Sequence, residues 1–228
     1  MSWFRDRYDL FVFDLDGTLV DSARDLASSL NHALGVLGHA PLEFEQVLRC
    51  VGRGARVLIE RALGTEDDVA AVDQGLAAFL EHYRDECVRR TVLFPGAAAA
   101  LEGLAPSTRA VLTNKPIEPT LKILDSLEVR EHFARVDGGD TVTRKKPFPD
   151  GLLDIAREFG VAPERTLLLG DTSTDLLAAR AAGAAVALVP YGFEPESAWP
   201  EPPDYRLESL EALLDECPPP PAVGEIPS

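Results

Sequence analysis

The sequence predicts an α/β fold, a doubly wound Rossmann-like parallel sheet carrying an inserted all-helical segment, and three observations support it. Short apolar runs that end in turn signals recur along the chain, as expected of strands buried on both faces of a parallel sheet. Amphipathic helices separate most of these runs. Residues 21–90, by contrast, carry helical periodicity with no strand among them. That is far longer than the usual crossover of an α/β sheet, so this stretch is expected to be an insert.

The first strand is Leu10–Phe13, rich in β-formers and followed by Asp14, Asp16 and the permissive turn residue Gly17. Both carboxylates therefore leave the carboxyl end of a buried strand, where open α/β sheets bind their ligands. Helical spacing then begins: Leu26, Leu30, Ala33, Leu34 and Leu37 share a face over 22–37, and Gly38 and Pro41 end the helix. A second helix is expected over 43–49 and a third from Gly54, with Leu58, Ile59 and Ala62 on one side. A fourth starts near Thr65, where Glu66, Asp67 and Asp68 suit a positive N-terminal end.

Alternation resumes at Phe94-Pro95-Gly96. A helix over 97–104 precedes a strand over 109–112, which ends at Thr113-Asn114; Pro116 suits a helix start. A strand over 134–136 leads into Gly138-Gly139-Asp140, and Lys145-Lys146-Pro147 opens the next helix. The strand over 166–169 ends in Gly170-Asp171; a helix from about Thr174 and a strand over 184–189 follow. A short helix over 207–214 precedes a Pro-rich tail in which 218–221 reads as polyproline. No internal repeat is seen.

Composition narrows the function. A net charge of -16 disfavours nucleic acid and anionic membrane surfaces as partners, since both are polyanions. No apolar run approaches membrane-spanning length, and Met1 to Asp9 lacks the apolar stretch of a signal peptide. The three cysteines, Cys50, Cys87 and Cys217, are far apart and imply neither a disulfide framework nor a zinc site. A cytoplasmic protein, monomer or homodimer, is expected.

At the carboxyl edge of one parallel sheet, Asp14, Asp16, Thr113, Lys146, Asp171 and Asp175 would meet, although the chain spreads them widely. Clustered carboxylates with a bound water suit Mg²⁺, a hard cation usually held by a few carboxylates and a phosphate oxygen. A hydroxyl and an ammonium are the donors that phosphoryl oxygens require. Alternatives stay open at single positions. Thr113 would also serve as a helix cap, Lys145 competes with Lys146, and Asp175 lies in a first helical turn where an acidic residue is favoured anyway.

These motifs resemble the haloacid dehalogenase superfamily: Asp-x-Asp-Gly-Thr at Asp14 to Thr18, a hydrophobic strand ending in Thr113, Lys146 before proline, and Gly-Asp-x-x-x-Asp from Gly170 to Asp175. The likeness spans essentially the whole chain, with the insert as that superfamily's cap. It implies a core of 1–20 and 91–216, a helical cap of 21–90 and a tail of 217–228. Val51-Gly52, Phe94-Pro95-Gly96, Thr113-Asn114-Lys115-Pro116, Gly138-Gly139-Asp140, Lys145-Lys146-Pro147 and Tyr191-Gly192 further resemble bacterial phosphoglycolate phosphatases.

The resemblance implies Asp14 as a nucleophile that forms an aspartyl-phosphate and Asp16 as acid and base. It implies Mg²⁺ on Asp14, the carbonyl of Asp16 and Asp171, with Asp175 holding a metal-bound water or orienting Lys146. Thr113, Asn114 and Lys146 would hold the phosphoryl group. The substrate expected is a small phosphorylated anionic metabolite, most simply 2-phosphoglycolate. A sugar-phosphate mutase or pyrophosphatase of the same fold is the alternative. A phospho-accepting receiver domain is less compatible, because a receiver has no use for Asp16 or a large cap. In the insert, Arg53 and Arg56 flank the start of the helix after Gly54 and are expected to attract the substrate's second anionic group.

Overall fold

The computed structural model describes residues 2–217 of the 228-residue chain; the polyproline stretch lies outside the described residues. In chain order the elements are α1 (Trp3–Arg7), β1 (Leu10–Phe13), β2 (Val20–Asp21), α2 (Ala23–Val36), α3 (Phe44–Leu48), α4 (Ala55–Leu63), α5 (Val69–Glu86) and β3 (Val92–Leu93). They continue with α6 (Ala97–Gly103), β4 (Thr108–Leu112), α7 (Ile117–Ser126), β5 (Arg135–Asp137), α8 (Asp150–Glu158), β6 (Thr166–Gly170), α9 (Ser173–Ala182), β7 (Ala185–Leu188) and β8 (Tyr205–Arg206). Short 3-10 turns punctuate the second half, the last at Leu210–Leu214.

Six strands form one parallel sheet in the order β5-β4-β1-β6-β7-β8. β1 lies where the strand order reverses, with β4 on one side and β6 on the other, so a crevice opens at its carboxyl end. Phe13 is in register with both Val111 and Leu169. The residues that follow these three strands therefore emerge at one edge.

Side chains of β1 alternate between two apolar layers, as the strand period of two requires. Leu10 and Val12 pack with Leu112, Leu168, Val186 and the inner faces of α8 and α9. Phe11 and Phe13 face the larger layer, which continues through Leu101 and Leu124 into the insert.

In the insert, α2 and α5 pack along each other, and Gly75 of α5 lets Ile59 of α4 and Leu37 approach closely. Where the chain enters and leaves it, Val20–Asp21 pairs antiparallel with Val92–Leu93. Asp25 reinforces this junction by accepting from the N–H groups of Arg90 and Thr91 and from the Thr91 hydroxyl, each at 2.9 Å.

The sheet and the helices of the insert follow the sequence expectation to within a residue or two at most boundaries. Four short features differ. α1, β2, β3 and β8 were not expected, because segments of two to five residues carry no readable period. The helix expected over 207–214 is instead a 3-10 turn over Leu210–Leu214, with β8 just before it, and α8 starts at Asp150 rather than beside Lys145. Pro147 and Pro149 lack the N–H groups that an earlier helix would need.

Candidate active site

The loop after β1 presents Asp14 and Asp16 on either side of Leu15. Leu15 is wholly buried and anchors the loop, while Gly17 adopts a left-handed conformation (φ +87°). A side chain at Gly17 would strike the carboxylate of Asp171, and one at Gly192 would do the same. Glycine is thus required here for close approach as well as for the turn.

Asp14 is fixed through one oxygen. Its Oδ1 accepts from the N–H of Leu15 at 2.7 Å and lies 2.9 Å from Lys146 Nζ. Lys146 is buried and also donates to Asp175 Oδ1 at 2.6 Å. Asp175 is held in turn by the hydroxyl of Thr172 at 2.6 Å and the Thr172 N–H at 3.1 Å, a capping box at the start of α9. Asp171 accepts from the Thr18 hydroxyl at 3.0 Å and from the Phe193 N–H at 2.8 Å.

Asp14, Asp171 and Asp175 each offer an oxygen within 4.8 Å of the others, all three side chains being buried. Burial, partly offset by Lys146 and aided by Asp175, pushes the Asp14 carboxyl up to about 6. Burial and the charges of Asp14 and Asp175 push Asp171 well above the usual carboxylate range. Lys146 is held above the ordinary lysine value: burial works against its charge, but Asp14 and Asp175 outweigh it.

Three carboxylates against one ammonium leave two unbalanced negative charges, the charge of one divalent cation. The donors are all oxygen, which suits a hard ion. The residues present therefore fit a bound metal.

Asp16 has a different environment. Lys115 donates to both of its carboxylate oxygens, at 2.8 and 2.7 Å, and the Ser22 hydroxyl donates to Oδ1. The same Lys115 ammonium lies 4.7 Å from the ring centroid of Tyr83, which belongs to α5 of the insert. Together these residues line a cavity between sheet edge and insert. Its core wall includes Asp14, Asp16, Thr113, Asn114 and Lys115; its insert wall includes Leu26, Leu58, Phe79, Leu80 and Tyr83.

The structure thus brings Asp14, Asp171, Asp175 and Lys146 into one cluster and sets Asp16, Thr113 and Asn114 beside it. Lys146 is buried whereas Lys145 is exposed. Asn114 acts as a clamp, its amide donating to the carbonyls of Gly52 at 3.0 Å and Lys146 at 2.9 Å. This ties the insert's loop to the core and leaves neither amide hydrogen for a phosphoryl oxygen. Thr113 is buried, and its hydroxyl accepts from the Lys115 N–H at 3.2 Å.

Arg53 and Arg56 are not brought to the cavity. Both are exposed, neither lines it, and Arg56 pairs with Asp73 and Glu60 on the outer side of the insert. Helical periodicity explains this for Arg56: Leu58 and Ile59 take the buried face of α4 and leave Arg56 outside.

Sequence reasoning missed Lys115 and Tyr83. Lys115 stood in the quoted Thr-Asn-Lys-Pro run, adjacent to a candidate ligand, which was the available signal. Tyr83 lies on the buried face of α5 with Val72 and Phe79, a periodicity that gives no sign of its hydroxyl.

The comparisons agree with this geometry. A family model described as haloacid dehalogenase-like hydrolase matches residues 11–189. A phosphoglycolate phosphatase of Pseudomonas putida KT2440 is 39% identical over 218 residues, covering 91% of this chain and 79% of its own. One from Agrobacterium fabrum is 36% identical, covering 90% of each chain. A solved structure from Haemophilus somnus 129PT, described as a predicted phosphoglycolate phosphatase, superposes with a TM-score of 0.84 at 30% identity, covering 91% of this chain and 97% of the other. With its buried acidic cluster at the head of β1 and a match that runs through nearly all of the sheet, the chain belongs to the haloacid dehalogenase-like hydrolases.

Proposed function

We propose that this phosphatase hydrolyses small phosphomonoesters with an anionic tail, 2-phosphoglycolate above all, through an aspartyl-phosphate on Asp14. The observation that carries the reading is the state of Asp14. One oxygen is fixed by Leu15 N–H and Lys146, while Oδ2 accepts no hydrogen bond among the described residues and the side chain borders the cavity. A nucleophile so oriented needs little reorganisation before attack. The names of the relatives support the substrate.

In the first step Asp14 attacks phosphorus in line, the bond from phosphorus to the ester oxygen breaks, and Asp16 gives the departing alkoxide a proton. In the second, Asp16 takes a proton from a water that attacks the same phosphorus, returning Asp14 and releasing inorganic phosphate. Lys146 and Thr113 hold phosphoryl oxygens, and the Asn114 clamp fixes the Lys146 loop. Asp14, Asp171 and the carbonyl of Asp16 would hold Mg²⁺, which when bound offsets the charge of the carboxylates and the phosphoryl oxygens; Asp175 orients Lys146. The insert, residues 21–90, serves as a cap that excludes water while the intermediate exists. Free thiols at Cys50 and Cys87 suit a cytoplasmic setting, and no helix among the described residues is long and apolar enough to cross a membrane.

The test is phosphate release from phosphoglycolate, sugar phosphates, nucleotides and pyrophosphate, with Mg²⁺ and with a chelator. The highest kcat/KM is expected on phosphoglycolate, and only with the metal. Preference for pyrophosphate or a sugar phosphate would replace the substrate, and metal-independent turnover would remove Mg²⁺ from the scheme.

A further inference from the structure

On the reading of this site as one that takes phosphoglycolate, we propose that Lys115 and the hydroxyl of Tyr83 bind the substrate's carboxylate and so select the leaving group. Two independent observations lead there. Tyr83 is 2% exposed, lines the cavity from the insert side, and its hydroxyl has no hydrogen-bond partner among the described residues. Buried hydroxyls in folded proteins are almost always paired, so an orphan hydroxyl on a residue that lines a site is a donor available to a ligand. Burial, with a smaller effect of Asp16, also pushes the Tyr83 phenol well above its usual value, so it keeps its proton.

Lys115 provides the second observation. It is 6% exposed, and it is the sole cation among the described residues that line the cavity. The rest of the insert wall carries no charged side chain: Leu26, Leu58, Phe79 and Leu80 stand there with Val51, Gly52, Gly54 and Ala55 at the start of α4. Arg53 and Arg56, the cations expected for this role from the sequence, lie outside.

Without substrate, the Lys115 ammonium is shared between the two oxygens of Asp16 and the face of the Tyr83 ring. A substrate carboxylate competes with Asp16 for that ammonium and takes the Tyr83 hydroxyl as a further donor. Asp16 keeps its bond from Ser22 and is released toward the leaving oxygen. In glycolate one carbon separates the carboxylate from that oxygen. Holding the carboxylate at Lys115 therefore also holds the leaving oxygen beside Asp16, which an uncharged tail does not do. No bond other than those of the hydrolysis itself forms or breaks.

The experiment measures kcat/KM on 2-phosphoglycolate and on ethyl phosphate, with Mg²⁺, for the native chain, Tyr83→Phe, Lys115→Met and Lys115→Arg. The native chain should prefer phosphoglycolate. Tyr83→Phe, which keeps the ring stacked on Phe79, should lower the ratio of the two values by about 10-fold, mainly through KM. Lys115→Met should lower it by about 100-fold, and Lys115→Arg should recover part of the loss.

An unchanged ratio in both Tyr83→Phe and Lys115→Met, or equal losses on the two esters, would overturn the inference, since a purely structural role moves both alike. Native activity on ethyl phosphate equal to that on phosphoglycolate would overturn it too, while leaving the phosphatase standing. If the native chain attacks other phosphomonoesters but not phosphoglycolate, the substrate reading beneath it fails instead. Thermal melts of all variants identify any that fail to fold, and Tyr83→Phe, which removes one oxygen only, carries the decision if Lys115→Met does.

Discussion

The two walls of the cavity are built from different materials. The core wall is ionic, with Asp14, Asp16 and Lys115; behind Asp14 stand Lys146, Asp171 and Asp175, and the carboxylates of this cluster are gripped by backbone or hydroxyl groups at the ends of β1 and β6. The insert wall is mostly aliphatic and aromatic, and its one polar side-chain group among the described residues is the hydroxyl of Tyr83. Parallel strand ends in register bring charged groups to one place and lock them, whereas packed helices supply shape and adjustable contact. On the proposed function, reaction chemistry sits on the sheet edge, and the choice among esters is shared between Lys115 on that edge and Tyr83 across the cavity.

The largest effect should come from the ionic wall. Asp14→Asn is expected to reduce phosphate release by more than about 10⁴-fold, as loss of a nucleophile does. Asp16→Asn should permit slow phosphorylation of Asp14 and block release, detectable as radiolabel retained on the protein. Steady-state turnover by Asp14→Asn near the native rate would move the nucleophile elsewhere.

Behind that wall the two helix-side carboxylates should differ. Asp171→Ala is expected to raise the Mg²⁺ concentration required for half-maximal activity well beyond the rise for Asp175→Ala, about 10- to 100-fold for the latter. A metal titration with the opposite order would exchange their roles.

The charge imbalance also has a consequence for stability. Burial raises the Asp14 carboxyl to about 6, above the ordinary aspartate value near 4, and shifts Asp171 in the same direction. A carboxyl raised on folding contributes stability below its unfolded value, and that contribution is lost as pH rises through the folded one. For Asp14 that loss falls between about pH 4 and pH 6.5. Mg²⁺ should reverse it, so the rise in Tm on adding the metal should be several degrees larger at pH 7.5 than at pH 5. An equal rise at both values would mean that these carboxylates are not the site of binding.

The smallest effect is expected on the outside of the insert. Arg56 is exposed and paired with Asp73, a surface contact worth about 0 to 1 kcal/mol. Arg56→Ala and Arg53→Ala should each change kcat/KM on phosphoglycolate by less than about threefold. A loss above 10-fold confined to phosphoglycolate would show that the insert moves to bring these arginines inward.

Much of the ionic cluster was legible in the sequence because Asp14 and Asp171 follow short apolar strands and Lys146 sits beside a proline, and such signals are local. Asp14 after Leu10–Phe13 and Asp171 after Thr166–Gly170 could be placed at strand ends without knowing the strand order. The register of β1 with both β4 and β6 then brought them within reach. The insert was legible as helices for the same reason: the face of α2 carrying Leu26, Leu30 and Leu34 repeats at helical spacing.

The amino-acid sequence by itself determined the α/β core, the helical insert and the type of chemistry at the head of β1. Only the tertiary structure decided which cation faces the cavity. Periodicity reports which side of a helix is apolar, but not what stands opposite it, so Arg53 and Arg56 were as plausible as Lys115 until α4 turned Arg56 toward Asp73. Tyr83 shows the same limit. Its ring belongs to an apolar stripe at helical spacing, and the destination of its hydroxyl depends on how α5 docks above Lys115, a contact between residues 32 positions apart that no local pattern encodes.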